Sequence, residues 1–465
     1  MSRRLGRRGA LVASHCLGLL ALAAAASPTV DGLTEIIARP EALEAVGPMQ
    51  GPEDLGTGMP LSADEVLASS IDAFPKIQAA IEKAAAARAK LLSAQGAAFD
   101  SEWRTKSLNW LSGFYEGLTF DSKVVKPVAG DAIEVSTGYR ISDADFPIYE
   151  DEYVTNDLGE INVGVVFALL QDREFGPRRF VLRDADLDIT LTNLDLLRTQ
   201  VQVQHAALHA YWRWVAAGQK LQVYSELLDV AVARDSAMRQ RVAEGDLAEI
   251  FLVENAQNLF QRQTLVVQSE RDFRVAGVQL GLYLRDADGV STTPSGARLP
   301  LEFPAVTQAI IDQLPADIVR AMQQQVNLMA LDTELDKERN RLALGENAYK
   351  PQLDLEVKLA RDFGPGSETR RGNDVIVSLD VKYPLRRRKA QGDIDAARAN
   401  IRSLQQERRL LVDQLNAQIL GVAEQIVADV RLAAITANDV LAAQRLEQVE
   451  RVRLNEGASD LLIVN

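Results

Sequence analysis

The chain has 465 residues, with 65 acidic against 51 basic side chains and a net charge of −14. Such an acidic balance excludes a nucleic-acid partner as the basis of its function. Residues 1–26 read as a secretory signal peptide: Arg3, Arg4, Arg7 and Arg8 precede an apolar run that ends in Ala24-Ala-Ala26. The only cysteine, Cys16, lies inside that run behind His15, which is not the small residue that lipidation requires. A mature chain without it has no disulfide and no thiolate metal site.

Residues 27–61 are rich in Pro, Gly and acids and predict an extended N-terminal segment. Ser62-Ala-Asp-Glu65 matches a capping box and starts a helix that continues through the Ala-rich stretch, with a kink or restart at Pro75. Residues 101–119 predict a strand of ragged alternation, and 120–158 a long Gly/Pro/Asp segment. A cleaner strand follows at 159–171, where Ile161, Val163, Val165, Phe167 and Leu169 alternate. From Pro177 to about Ala243 there is no further proline and only Gly218, which predicts one helix of some 65 residues, roughly 100 Å long. It breaks at Arg241-Val-Ala-Glu-Gly-Asp246, and another helix fills 247–285. Residues 286–304 read as a linker.

The same order then recurs. A helix from about Ala305 to Tyr349 is interrupted at Pro315. Strands at 350–360 and 374–383 form a hairpin, and a second long helix spans about 385–454. Along that helix Ile401, Leu404, Leu411, Leu415, Ile419, Val422, Ile426, Val430, Ala433, Ala437 and Val440 form a seam of period about 3.5, the repeat of coiled-coil packing. The chain thus divides into a first structural repeat at 62–285 (helix, two strands, long helix, helix), the linker at 286–304, and a second repeat at 305–465. The second copy lacks its expected final helix.

No segment offers the apolar length of a membrane-spanning helix, so any membrane crossing falls to strands. The strands near 353–359 and 375–383 alternate apolar with polar residues over about the ten positions of a transmembrane β-strand. Two strands per copy give four per chain, too few to close a barrel, so several chains must share one. Catalytic and metal signals are weak. His205 and His209 have metal-ligand spacing, but Ala206 stands where a zincin motif needs Glu. The glycine loop at Gly364, Gly366 and Gly372 lacks the Lys-Ser/Thr of a phosphate loop.

Tyr349-Lys-Pro351, Pro384-Leu-Arg386, Ala210-Tyr-Trp212 and the paired breaks at Gly245 and Gly457, taken in their repeated order, resemble the TolC-like outer-membrane efflux family. The resemblance spans nearly the whole mature chain. It implies a mainly α fold with a small β part: a long coiled-coil-like helical barrel, plus a 12-stranded β-barrel completed by a homotrimer in the outer membrane. It also implies an efflux or type I secretion duct without catalytic activity or cofactor, opened when a periplasmic adaptor and an inner-membrane transporter dock. The turns at Gly245 and Gly457 would then lie at the periplasmic aperture, where Glu244, Asp246, Glu456 and Asp460 would line or flank the opening. Acidic capping of helix starts explains the same carboxylates without a pore, and the alternative to a duct is a coiled-coil scaffold.

Overall fold

The computed structural model describes residues 55–455 apart from 57, 113–115, 129, 145–152, 287–288 and 305–307. The signal-peptide segment, most of the N-terminal extension, and Glu456, Gly457 and Asp460 lie outside the described residues. The chain begins with helices α1 (Ala63–Ala73) and α2 (Pro75–Phe99), then strands β1 (Glu102–Trp110), β2 (Gly117–Pro127), β3 (Ile133–Ala144) and β4 (Glu160–Ala168). Helix α3 (Pro177–Ala243) and helix α4 (Ile250–Gly281) follow, then α5 (Gln308–Gln323) and α6 (Val326–Ala348). Strands β5 (Gln352–Asp362) and β6 (Asp374–Lys382) lead into α7 (Arg388–Asn455). All six strands form one antiparallel sheet in the order β1-β2-β3-β4-β5-β6.

The sheet corrects the sequence-based count of four strands. The segment 120–158 holds most of β2 and all of β3, while β1 runs through the ragged stretch. Their alternation is diluted by Lys, Asp and Ser, so a count of apolar residues alone misses them. Two helix details also differ from expectation. The break expected at Pro315 falls at Gln324–Gln325, with Pro315 inside α5. That helix buries no residue, so the carbonyl freed by the proline is left to water. In the capping box, the Ser62 hydroxyl accepts from Glu65 N at 3.1 Å as expected. The Glu65 carboxylate does not reach back, because Arg298 holds it through two hydrogen bonds of 3.0 and 2.6 Å.

Asp131, in the β2–β3 turn, caps the 67-residue helix α3 from outside. Its carboxylate accepts from Arg178 N at 3.2 and 3.0 Å and from Arg179 N at 3.3 Å. It thereby satisfies free N–H groups at the positive helix end. Gly176 makes room, since a Cβ there would stand 2.4 Å from the Asp131 carboxylate.

A hydrophobic core lies midway along α3, where Ala207, Tyr211, Trp214 and Val215 meet Leu61 and Val66, Ala276 and Leu280 of α4, and Leu299. The linker is therefore part of the core. Gly56, Gly58 and Leu61 donate backbone hydrogen bonds to the carbonyls of Gly296, Ala297 and Arg298, which fixes Leu299 in place. Trp214 is buried while Trp212 is half exposed, as expected of two residues only two apart on a helix. Gly218 lets Leu299 approach: a Cβ there would sit 2.5 Å from the Leu299 side chain and 2.9 Å from Phe273. Along α7, packing against α6 is pinned by Arg408 on Asp332 at 2.7 Å. The expected seam holds at Leu415, shifts from Val422 to Ala423, and is exposed at Ala433, Ala437 and Val440.

Replacing Gly218 by Leu overpacks this core and should lower thermal stability by about 2 kcal/mol. Gly421→Ala, with nothing within 4 Å of its added methyl, should raise stability by up to about 1 kcal/mol. Thermal denaturation of the two variants checks both signs.

Candidate functional site: a two-faced sheet and a distant helical turn

The register sorts the sheet into two unlike faces. One row crosses four strands on Val135, Val165, Val357 and Val377. The adjacent rows on that face carry Ile133, Phe167, Leu355 and Leu379, and Thr137, Val163, Leu359 and Val375. The intervening rows, on the other face, read Glu134, Val166, Glu356, Ser378 and Ser136, Gly164, Lys358, Ile376. The chain's helices leave the apolar face open: Val163 is 41% exposed, Leu359 53%, and Val377 63%. An apolar surface of this extent, left bare by the described residues, marks contact with lipid or another protein.

The polar face carries an ion cluster that was not legible as a unit. Glu160 is buried and accepts from Arg140 on the neighbouring strand at 2.7 Å, from Asn162 at 2.9 Å, and pairs with Lys358 at 3.1 Å. Two cations and an amide around one carboxylate compensate its burial. In sequence these residues are up to 218 positions apart (Arg140 to Lys358), so only the pairing of β4 with β5 reveals them.

Below the sheet, Asp172 turns the chain from β4 toward α3 at φ +66°. Asn347, at the end of α6, locks this turn: Asp172 N donates to the Asn347 side-chain carbonyl at 2.8 Å, and the amide donates back to the carboxylate at 2.6 Å. Burial pushes the Asp172 carboxyl above its ordinary pKa, against the opposing effect of the Asn347 bond. The two long arms of the chain, one before α3 and one before β5, are thus tied where sheet meets helices.

At the other end of α3, some 100 Å along the helix, the backbone reverses at Glu244-Gly245-Asp246. Gly245 has φ +87°. Its N–H bonds to Val242 O at 3.0 Å, and Asp246 N to Arg241 O at 2.9 Å, a Schellman closure that requires the left-handed residue. Glu244 accepts from the Gln240 amide at 3.0 Å, and all three turn residues are exposed. A short distance back, Asp235 of α3 accepts from Arg239 at 2.6 Å and from Asn255 of α4 at 2.8 Å, clasping the two helices. The Arg239 hydrogen bond, helped by Asn255 and opposed by burial, holds the Asp235 carboxyl below its usual range.

His205 and His209 lie on exposed positions of α3, and the described residues contain no group of three or more potential metal ligands. No described helix is long and apolar enough to cross a membrane.

No family model and no curated protein matches the sequence. Solved structures do match the fold. The outer membrane protein VceC of Vibrio cholerae aligns with TM-score 0.59 at 11% identity, over 86% of this chain and 88% of that one. The open-state MtrE outer membrane channel of Neisseria gonorrhoeae gives 0.55 at 12% identity, over 90% and 85%. The CmeC outer membrane channel of Campylobacter jejuni gives 0.54 at 11%, over 86% and 78%.

A depressed carboxyl pKa adds stability above the unfolded-state value of about 3.9 and loses it as pH falls through the folded-state value. Asp235→Ala should therefore cost about 1 kcal/mol at pH 7, modest because Arg239 is 64% exposed and water screens the pair. The gap between wild type and variant, followed by thermal unfolding, should narrow as pH is lowered to about 3.

Proposed function

We propose that this chain, which has the fold of TolC-like outer-membrane channels, is the outer-membrane exit duct of a tripartite efflux or type I secretion machine. The observation that carries this reading is the sheet: rows of Val, Ile, Leu and Phe bare on one face, charged and polar rows on the other. Such a surface suits hydrocarbon outside and water inside. The six described strands leave two open edges, so the barrel is shared, in this reading by a homotrimer.

The long helices continue the duct as a periplasmic tunnel, with residues 62–285 and 305–465 as two structural repeats joined by 286–304. The turn at Glu244, Gly245 and Asp246 forms part of the periplasmic aperture, and Glu456, Gly457 and Asp460 supply its counterpart. There an adaptor docks and an inner-membrane transporter provides the energy, since the duct itself performs no chemistry. Three copies of exposed Glu244 and Asp246 would ring the opening with carboxylates and favour cations over anions. A pore-free coiled-coil scaffold has no use for bare apolar rows opposite a buried ion cluster.

The protein should fractionate with outer membranes, require detergent, and conduct ions in planar bilayers with cation preference. Glu244→Gln combined with Asp246→Asn should reduce that preference without lowering expression. A soluble protein that never inserts or conducts would overturn the reading.

A further inference from the structure

The sheet ends on β1 and β6, and both strands are laid open. Every residue of β6 and seven of the nine in β1 are exposed, and among the described residues β1 pairs only with β2, as β6 pairs only with β5. Long bare edges invite pairing with another chain. The two edges also run in opposite senses, since β1 is antiparallel to β2 and the alternation continues to β6. A second copy can therefore add its β6 to β1 as one more antiparallel strand.

We infer that the joint between copies is β1 against β6 of the next copy, in the register that sets Glu102 opposite Lys382 and Arg104 opposite Asp380. The polar face of β1 reads Glu102, Arg104, Lys106, Leu108, Trp110, and that of β6, taken in reverse, Lys382, Asp380, Ser378, Ile376, Asp374. In this register two opposite-charge pairs form, and Leu108 meets Ile376. Sliding by two residues, the smallest step that keeps the faces, sets Glu102 against Asp380 in one direction and Arg104 against Lys382 in the other. Like charges directly opposite are destabilising.

The same register also meets the geometry of a membrane barrel. Within one chain, the row through Trp103 passes Val124, Thr137, Val163 and Leu359 to reach Val375. Across the joint, Trp103 faces Val381 of the next copy, six residues further along β6. A shear of six over six strands is the ratio of an eight-stranded barrel with shear eight, whose strands tilt about 36°. Membrane barrels tilt about 35–45°, and the ratio is the same for any number of copies.

The outer face of β1 is more polar than its neighbours, and the hairpin satisfies that polarity internally. Trp103 Nε1 donates to Ser122 Oγ at 2.7 Å, and Thr105 Oγ1 lies 3.2 Å from the same oxygen. Ser107 and Asn109 pair with Phe120 and Leu118, level with Ile141 and Asp143 and beyond the last β3–β4 pair at Arg140–Glu160. They therefore stand at the outer rim, past the apolar rows. The inference rests on the shared-barrel reading above and deepens it: three copies of this six-stranded sheet close eighteen strands, not the twelve that the resemblance implies.

Disulfide trapping tests it on the full-length protein assembled in membranes, with Cys16, the only cysteine, changed to Ser. Antiparallel partners lie within disulfide reach. Leu108→Cys combined with Ile376→Cys should convert most of the chain into covalent multimers on non-reducing gels. Leu108→Cys with Val377→Cys, on opposite faces, should not. Arg104→Asp should weaken trapping at 108/376, and Asp380→Arg added to it should restore it. Trapping through Ser136→Cys and Asp380→Cys instead would place the joint at β3–β6 and overturn this inference while leaving the duct reading intact. A conducting oligomer that traps at neither pair would also overturn it. A chain that stays monomeric and does not conduct would overturn both.

Discussion

The sheet carries a largely apolar face that the described helices do not cover. Everything else about the molecule follows from where that face is put. The rows through Val135, Val165, Val357 and Val377 gain stability only against an apolar phase, on the order of 25 cal/mol per Å² removed from water. The opposite rows, with Glu160 held by Arg140, Asn162 and Lys358, are stable only beside water or partners of opposite charge. A closed cylinder in a bilayer satisfies both faces at once and removes the edges.

The helical part answers a different requirement, length. A 67-residue helix reaches about 100 Å, and a helix so long is held by tertiary packing rather than propensity. Its supports are spaced along it: the Asp131 cap at one end, the core around Trp214 in the middle, and the Asp235–Asn255 clasp near the turn. Between them, Lys337 of α6 sits between Asp184 at 3.3 Å and Asp188 of α3. The joint at Asp172 and Asn347 ties both arms together where the sheet begins.

Much of this was legible in the sequence because long periods are hard to counterfeit. The absence of breakers from Pro177 to Ala243 and the glycine break at 245 set the bounds of α3, and clean alternation from Val375 to Val381 set β6. Strands β2 and β3 were hidden because Asp121, Lys123 and Arg140 interrupt the apolar pattern, although Ile133, Val135, Tyr139 and Ile141 keep the two-residue period. The role of 286–304 was invisible for another reason. Its Gly and Pro content signals a turn-rich path but not that Leu299 would be buried against Gly218. The ion cluster around Glu160 needs β4 beside β5, a pairing between strands that the four helices α3 to α6 separate in sequence.

The central claim is that successive residues of the outer strands see hydrocarbon and water in turn. Nitroxide labels placed one at a time from Val375 to Val381, in protein reconstituted into vesicles, measure this through collision with oxygen, which concentrates in lipid, and with a water-soluble nickel chelate. The account predicts a period of two, with labels at Val377 and Leu379 relaxed by oxygen and labels at Ser378 and Asp380 by the chelate. Uniform chelate access along the strand, with no alternation, would contradict it.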